Sequence, residues 1–167
     1  MQQIRTILKN KLKNARRIAV LGIGSLLRAD DAVGMIIAEK LKSHIQDNKK
    51  NGQIKVFLGE TAPENLTGQI KKFKPTHLII IDAVDLHLNI GDLRVVNICM
   101  EAGVSFSTHR VPMGILRDYL YKSIGCETIL LGMQPGSTEF CGCLSPQIPK
   151  SAQAACKAIS LALKKFI

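Results

Sequence analysis

Tryptophan is missing from this chain, and tyrosine (two) and phenylalanine (five) are scarce in its 167 residues. A core for this chain must therefore be aliphatic, built from Ile, Leu, Val and Ala. No apolar run approaches the roughly 20 residues needed to span a bilayer. The first 17 residues are basic, yet they lack the continuous apolar stretch of a signal peptide. A cytoplasmic protein with no membrane insertion is expected. The cysteines number five, an odd count that argues against a complete disulfide framework. They read as ordinary thiols in a reducing compartment. Cys141-Gly142-Cys143 offers two sulfurs, too few for a good metal site.

Acidic residues are also missing from the first 17, which hold Arg5, Lys9, Lys11, Lys13, Arg16 and Arg17. The net charge is +10. Aromatics are not interleaved with these cations as a nucleic-acid stacking platform would need. The segment reads as a solvated helix face, with an acidic protein partner as the second reading and no nucleic acid expected.

The length corresponds to one domain, residues 1–167. No internal repeat or low-complexity linker divides it. Arg17 to Ile23 is an apolar run suited to a buried strand, and Asp31 to Ile45 carries apolar residues at helical spacing. Ile54 to Leu58 reads as a strand, and Pro63 opens a short helix through Phe73. His77 to Ile81 is the most hydrophobic strand and so the central one. A strand over Asp92 to Asn97, a helix from about Pro112 to Ser123 and a strand over Thr128 to Leu131 follow. After an irregular stretch, Gln134 to Pro149, a last helix runs from about Lys150 to Phe166. This alternation predicts an α/β protein with a mostly parallel sheet covered on both faces. Such sheets bind ligands beyond the carboxyl ends of their strands.

Those strand ends hold the residues with chemistry. Gly22-Ile23-Gly24 begins like a dinucleotide fingerprint, but Leu27 stands where its third glycine belongs. Asp30 and Asp31 then occupy the helix start, where a phosphate wants bare N–H groups. Asp30 is expected as the helix N-cap and Asp31 in the first turn, favoured by the helix dipole. Asp82 leaves the buried strand and enters the crevice. Asp85 and His87 follow in a short polar loop and read as solvated, while His44 and His77 read as structural. His109 lies in a loop before a helix. Taken together, Asp31, Asp82 and His109 offer two carboxylates and one imidazole from three strand-end loops. That donor set suits a borderline divalent ion such as nickel or zinc, with positions left for water or substrate. No Ser or Cys is paired with a His in a recognisable nucleophile motif.

At these residues the sequence resembles the hydrogenase maturation endopeptidases. The match runs through Gly22-Ile23-Gly24 and Asp30-Asp31-Ala32-Val33-Gly34, then Gly59-Glu60-Thr61-Ala62-Pro63-Glu64-Asn65. It continues through Ile81-Asp82-Ala83-Val84-Asp85, Ser107-Thr108-His109-Arg110-Val111-Pro112 and Leu131-Gly132-Met133-Gln134-Pro135. The Ala-Pro-Glu-Asn and Gly-Met-Gln-Pro segments look most like the branch serving hydrogenase 3 of formate hydrogenlyase-type complexes. Ser25 stands where the family usually has Asn, and Ala32 where it often has Gly.

The resemblance implies a flavodoxin-like, Rossmann-like three-layer α/β/α sandwich acting as a nickel-dependent endopeptidase. It would remove a short C-terminal extension from the precursor of a nickel–iron hydrogenase large subunit after nickel insertion. The family's metal-contacting positions fall on Asp31, Asp82 and His109, with Asp31 and Asp82 also catalytic. The nickel is expected to be carried by the substrate, with another divalent metal in the resting site as an alternative. The protein is expected to be a monomer. The loop Gly59 to Pro63 holds no ligand but is expected to border the same crevice and touch substrate through its backbone. Two rival readings are a non-catalytic nickel-binding maturation chaperone and a nucleotide-binding regulator using Gly22 to Gly34.

Overall fold

A computed structural model describes residues 1–46, 52–97 and 113–167. Helix α1 (Gln2–Lys11) precedes strand β1 (Ile18–Ile23), a 3-10 turn (Ala29–Ala32) and helix α2 (Val33–Gln46). Strand β2 (Ile54–Glu60), a 3-10 turn (Pro63–Leu66) and helix α3 (Thr67–Phe73) come next. Strands β3 (His77–Ala83) and β4 (Leu93–Val96), helix α4 (Met113–Ile124), strand β5 (Glu127–Met133) and helix α5 (Ile148–Leu163) complete the order.

The five strands of the described residues form one sheet in the order β2-β1-β3-β5-β4. All pairs are parallel except β4 with β5. The run Leu78 to Ile81 occupies the middle strand, where all seven residues of β3 are buried. Alternation along the strands splits the interior into two cores. Val20, Ile79, Ile81, Ile129 and Leu131 face α1, α2 and α5. Ala19, Leu21, Leu78, Ile80 and Leu130 face α3 and α4. The expected three layers are therefore present. The stripe Ala155, Ile159, Ala162, Leu163 and Phe166 is buried as its spacing requires.

Helix α2 seats on β1 through small residues. A Cβ on Gly22 would stand 2.4 Å from Ala38 Cβ and 2.5 Å from the Gly34 carbonyl oxygen. A Cβ on Gly34 would stand 2.2 Å from the carbonyl oxygens of both Ile23 and Ile81. The first turn of α2 thus rests between the carboxyl ends of β1 and β3.

Among the described residues Cys126 and Cys156 are buried thiols, and Cys141 and Cys143 are exposed and unbridged. Burial pushes the Cys126 thiol up to about 12. Among the described residues no helix is long and apolar enough to cross a membrane.

His77 marks the opposite, amino end of β3. It is buried, with Nε2 3.6 Å from Glu127. Burial lowers its pKa from the ordinary 6.5, and the attraction of Glu127 recovers only part of that. Below pH 6.5 the unfolded chain therefore binds a proton that the folded chain resists. Stability contributed by neutral His77 is full above that pH and falls as pH drops through the lower folded value. Thermal melts of wild type and His77→Gln at pH 8 and pH 5.5 should show the smaller loss in the variant. Equal losses would remove His77 as a source of acid sensitivity.

Candidate active site

The order β2-β1-β3 makes the gap between β1 and β3 a topological switch point, because the chain leaves β1 toward one side and returns to the other. Asp31 and Asp82 both belong to the carboxyl edge of this gap. Asp82 stands one residue beyond the last β1–β3 pair, Gly22 with Ile81. The 3-10 turn carrying Asp31 packs against β3. Both carboxylates are fully buried.

The loop after β1 is closed by its own groups. Asp31 Oδ2 accepts a hydrogen bond from the Ser25 N–H at 2.7 Å, and the Gly24 N–H donates to the Glu60 carbonyl at 2.9 Å. Gly24 has a φ of 130°, and a Cβ there would meet the Asp31 carbonyl oxygen at 1.8 Å. To use these N–H groups a phosphate would have to displace the Asp31 carboxylate and the Glu60 main-chain carbonyl, which counts against the nucleotide reading. Asp31 Oδ1 is buried and makes no hydrogen bond among the described residues.

The strand-end loop of β2 joins the same edge. Ile23 pairs with Glu60, and Gly59 lies against Gly22 and Pro63. The segment Gly59 to Pro63 therefore sits beside the β1 loop at the same end of the sheet as Asp82.

Asp30 is not the expected N-cap. The 3-10 turn runs straight into α2, with Val33 already at helical φ −61° and ψ −37°, so no extended cap residue separates them. The Asp30 carboxylate turns away and holds the segment after β5 instead. It accepts from the N–H groups of Gly136 (2.7 Å), Ser137 (3.1 Å) and Ser145 (2.7 Å) and from the Ser145 hydroxyl (2.6 Å). Burial alone would raise its pKa, but the bonds from Ser145, Gly136 and Ser137 outweigh that and hold it below the ordinary carboxylate value. Asp30→Asn keeps the shape but turns one acceptor into a donor facing those donors. A loss of about 2–3 kcal/mol in a denaturant titration is expected. A midpoint equal to wild type would show that these bonds contribute nothing net.

Gln134 organises the loop after β3. Its Oε1 accepts from the N–H groups of Leu86 (2.7 Å) and Leu88 (3.3 Å), and its Nε2 donates to Asp85 Oδ1 (3.2 Å). Asp85 and the largely exposed His87 are solvated, as expected. Sequence pattern reveals neither the Asp30 anchor nor the Gln134 brace. Its only signal is a polar residue at each strand-end loop. His109 lies outside the described residues. Among the described residues no group of three or more His, Cys, Asp or Glu side chains is placed to hold a metal.

Comparison with known proteins finds one family by sequence and by fold. The family model HycI, hydrogenase maturation protease, matches residues 35–162, a span that includes Asp82 and begins just after Asp31. A putative hydrogenase maturation protease of Methanocaldococcus jannaschii is 36% identical over 141 residues, covering 83% of this chain and 83% of that protein. The hydrogenase 3 maturation protease of Escherichia coli K12 is 35% identical over 122 residues, covering 72% of this chain and 74% of that protein. The crystal structure of the hydrogenase maturation protease HycI from Thermococcus kodakarensis superposes with a TM-score of 0.82 at 30% identity, over 95% of this chain and 99% of that one. A sheet that buries two aspartates at its switch point, matched in sequence and fold to these enzymes, belongs to an endopeptidase of the hydrogenase maturation protease family.

Proposed function

We propose that this endopeptidase removes a short C-terminal extension from the precursor of a nickel–iron hydrogenase large subunit once nickel has been inserted. Asp31, Asp82 and His109 would face the nickel held in the substrate. The observation that carries this reading is the buried Asp31 Oδ1, which makes no hydrogen bond among the described residues at a strand edge shared with Asp82. A buried carboxylate oxygen of that kind is a ready partner for a divalent cation. With an imidazole from His109 the donor set fits nickel or zinc. In the absence of substrate the same donors would accept a free divalent ion.

Substrate-borne nickel would bring positive charge next to the scissile amide. The chain's own residues would do the rest. The Ser25 N–H fixes Asp31 through Oδ2, so that Oδ1 keeps one orientation. A carboxylate of the Asp31–Asp82 pair would take the proton of the attacking water and return it to the leaving amine. The burial of both aspartates keeps bulk water from competing for these oxygens. The naming of relatives as proteases and endopeptidases favours this reading over a non-catalytic chaperone.

The test compares nickel-loaded and nickel-free precursor by mass spectrometry of the C-terminal peptide. Trimming of the loaded form alone is expected. Equal trimming of both forms would end the case for metal-dependent recognition.

A further inference from the structure

Among the described residues, one set of large apolar side chains left in solvent lies on two loops at this same edge, and another lies on α4. Leu26 is 59% exposed and Leu27 62%, both between β1 and Asp31. Phe140 is 66% exposed and Leu144 37%, both on the segment after β5. The two loops are bound to each other. The Cys141 N–H, next to Phe140, donates to the Leu27 carbonyl at 2.7 Å. Ser145, next to Leu144, holds Asp30 through both its N–H and its hydroxyl. Leu26, Leu27 and Phe140, each more than half exposed on two joined loops, make an apolar rim beside the candidate site. Between this rim and Asp31 lies Arg28, whose Nε is buried and has no hydrogen-bond partner among the described residues. A buried guanidinium N–H without an acceptor is costly, and a ligand can supply the acceptor.

Members of this family cut polypeptides, so the occupant of the edge is a polypeptide. Chain that reaches Asp31 over the β1 loop must pass Leu26, Leu27 and Arg28. We propose that Leu26, Leu27 and Phe140, with Arg28, form a substrate subsite that grips an apolar stretch of the protein substrate beside the scissile bond. Arg28 donates to a backbone carbonyl of that stretch. The subsite rests on the processing reading for its substrate, but it makes a separate claim about binding.

The experiment measures KM and kcat on nickel-loaded precursor, and in parallel the equilibrium binding of the same precursor. Leu27→Asp, Phe140→Ser and Arg28→Gln are each expected to raise KM and weaken binding about tenfold, with kcat within about twofold of wild type. Ile115→Ser and Tyr121→Ser, on α4 at 59% and 61% exposure, serve as surface controls and should change neither constant. Thermal melts confirm that each variant is folded. Rim variants that behave like the α4 controls overturn the subsite, whatever the precursor's fate. Rim-dependent binding without cleavage by wild type overturns the processing reading and keeps the subsite.

Discussion

Asp31→Asn is expected to lower the rate of precursor trimming by about 10²–10⁴-fold while leaving the melting temperature unchanged or higher. The two halves of this expectation come from the same oxygen. Asp31 Oδ2 accepts the Ser25 N–H, and an asparagine oxygen can take over that bond at the same place. The amide nitrogen then stands where Oδ1 makes no hydrogen bond among the described residues. Leaving an amide N–H unpaired there costs about 1–3 kcal/mol. Keeping a carboxylate in a fully buried place costs several kcal/mol per charge. The substitution exchanges the larger cost for the smaller, so the fold is not harmed. Function loses a carboxylate oxygen that makes no hydrogen bond among the described residues. Asp82→Asn and His109→Ala should lower trimming in parallel. Trimming measured by peptide mass and melting by circular dichroism check the prediction. A variant that cuts at the wild-type rate removes Asp31 from the mechanism. A variant that unfolds makes the aspartate a structural group.

Much of the scaffold behind that site is legible in the sequence, because it depends on local pattern. The run Leu78 to Ile81 has no polar residue, so it could only sit where both faces are covered, in the middle of the sheet. The helical spacing in α2 and α5 likewise records which face is buried. Pro63 fixes the start of a helical turn through its own φ. The direction of β4 is different. Leu93 to Val96 alternates as either a parallel or an antiparallel edge strand would, and only its pairing with β5 decides.

The two candidate aspartates can be picked out in the sequence, but the roles of the polar residues around them cannot. Asp31 and Asp82 stand at strand ends, where an α/β sheet places ligands, and the family resemblance singles out both. Asp30 resembles a cap because capping is the commonest use of an aspartate before a helix. Its real partners, Gly136, Ser137 and Ser145, are more than 100 residues away along the chain, and no local pattern reports them. Gln134 is the same kind of case, bracing Leu86 and Leu88 from 48 and 46 residues away. Long-range polar bonds depend on where two loops meet, which is a property of the finished sheet.

Gly34→Ala sets local propensity directly against packing. In an isolated helix alanine is better than glycine by about 1 kcal/mol, since it loses less backbone freedom. On that ground alone the variant would be the more stable protein. Position 34 lies in the first turn of α2, however, and a Cβ there would stand 2.2 Å from two carbonyl oxygens, those of Ile23 and Ile81. Both are backbone atoms at the ends of buried strands, so neither can rotate aside as a side chain would. The helix must lift from the sheet, and Ala38 against Gly22 must separate with it. Overpacking a tight contact typically costs about 1–3 kcal/mol, and a double clash with fixed backbone belongs at or beyond the top of that range, so packing wins. At about 2–4 °C per kcal/mol for a chain of this size, a drop of roughly 10 °C in Tm is expected. Asp31 precedes Gly34 by three residues, so the lifted turn would carry its carboxylate away from β3. Trimming should therefore fall even at temperatures where the variant remains folded. Gly68→Ala supplies the comparison. Gly68 lies in α3, and a Cβ there would have nothing within 4 Å, so propensity acts alone and Tm should hold or rise slightly. Equal melting temperatures for the two alanine variants would show that α2 does not rest on β1 and β3 as closely as these contacts require.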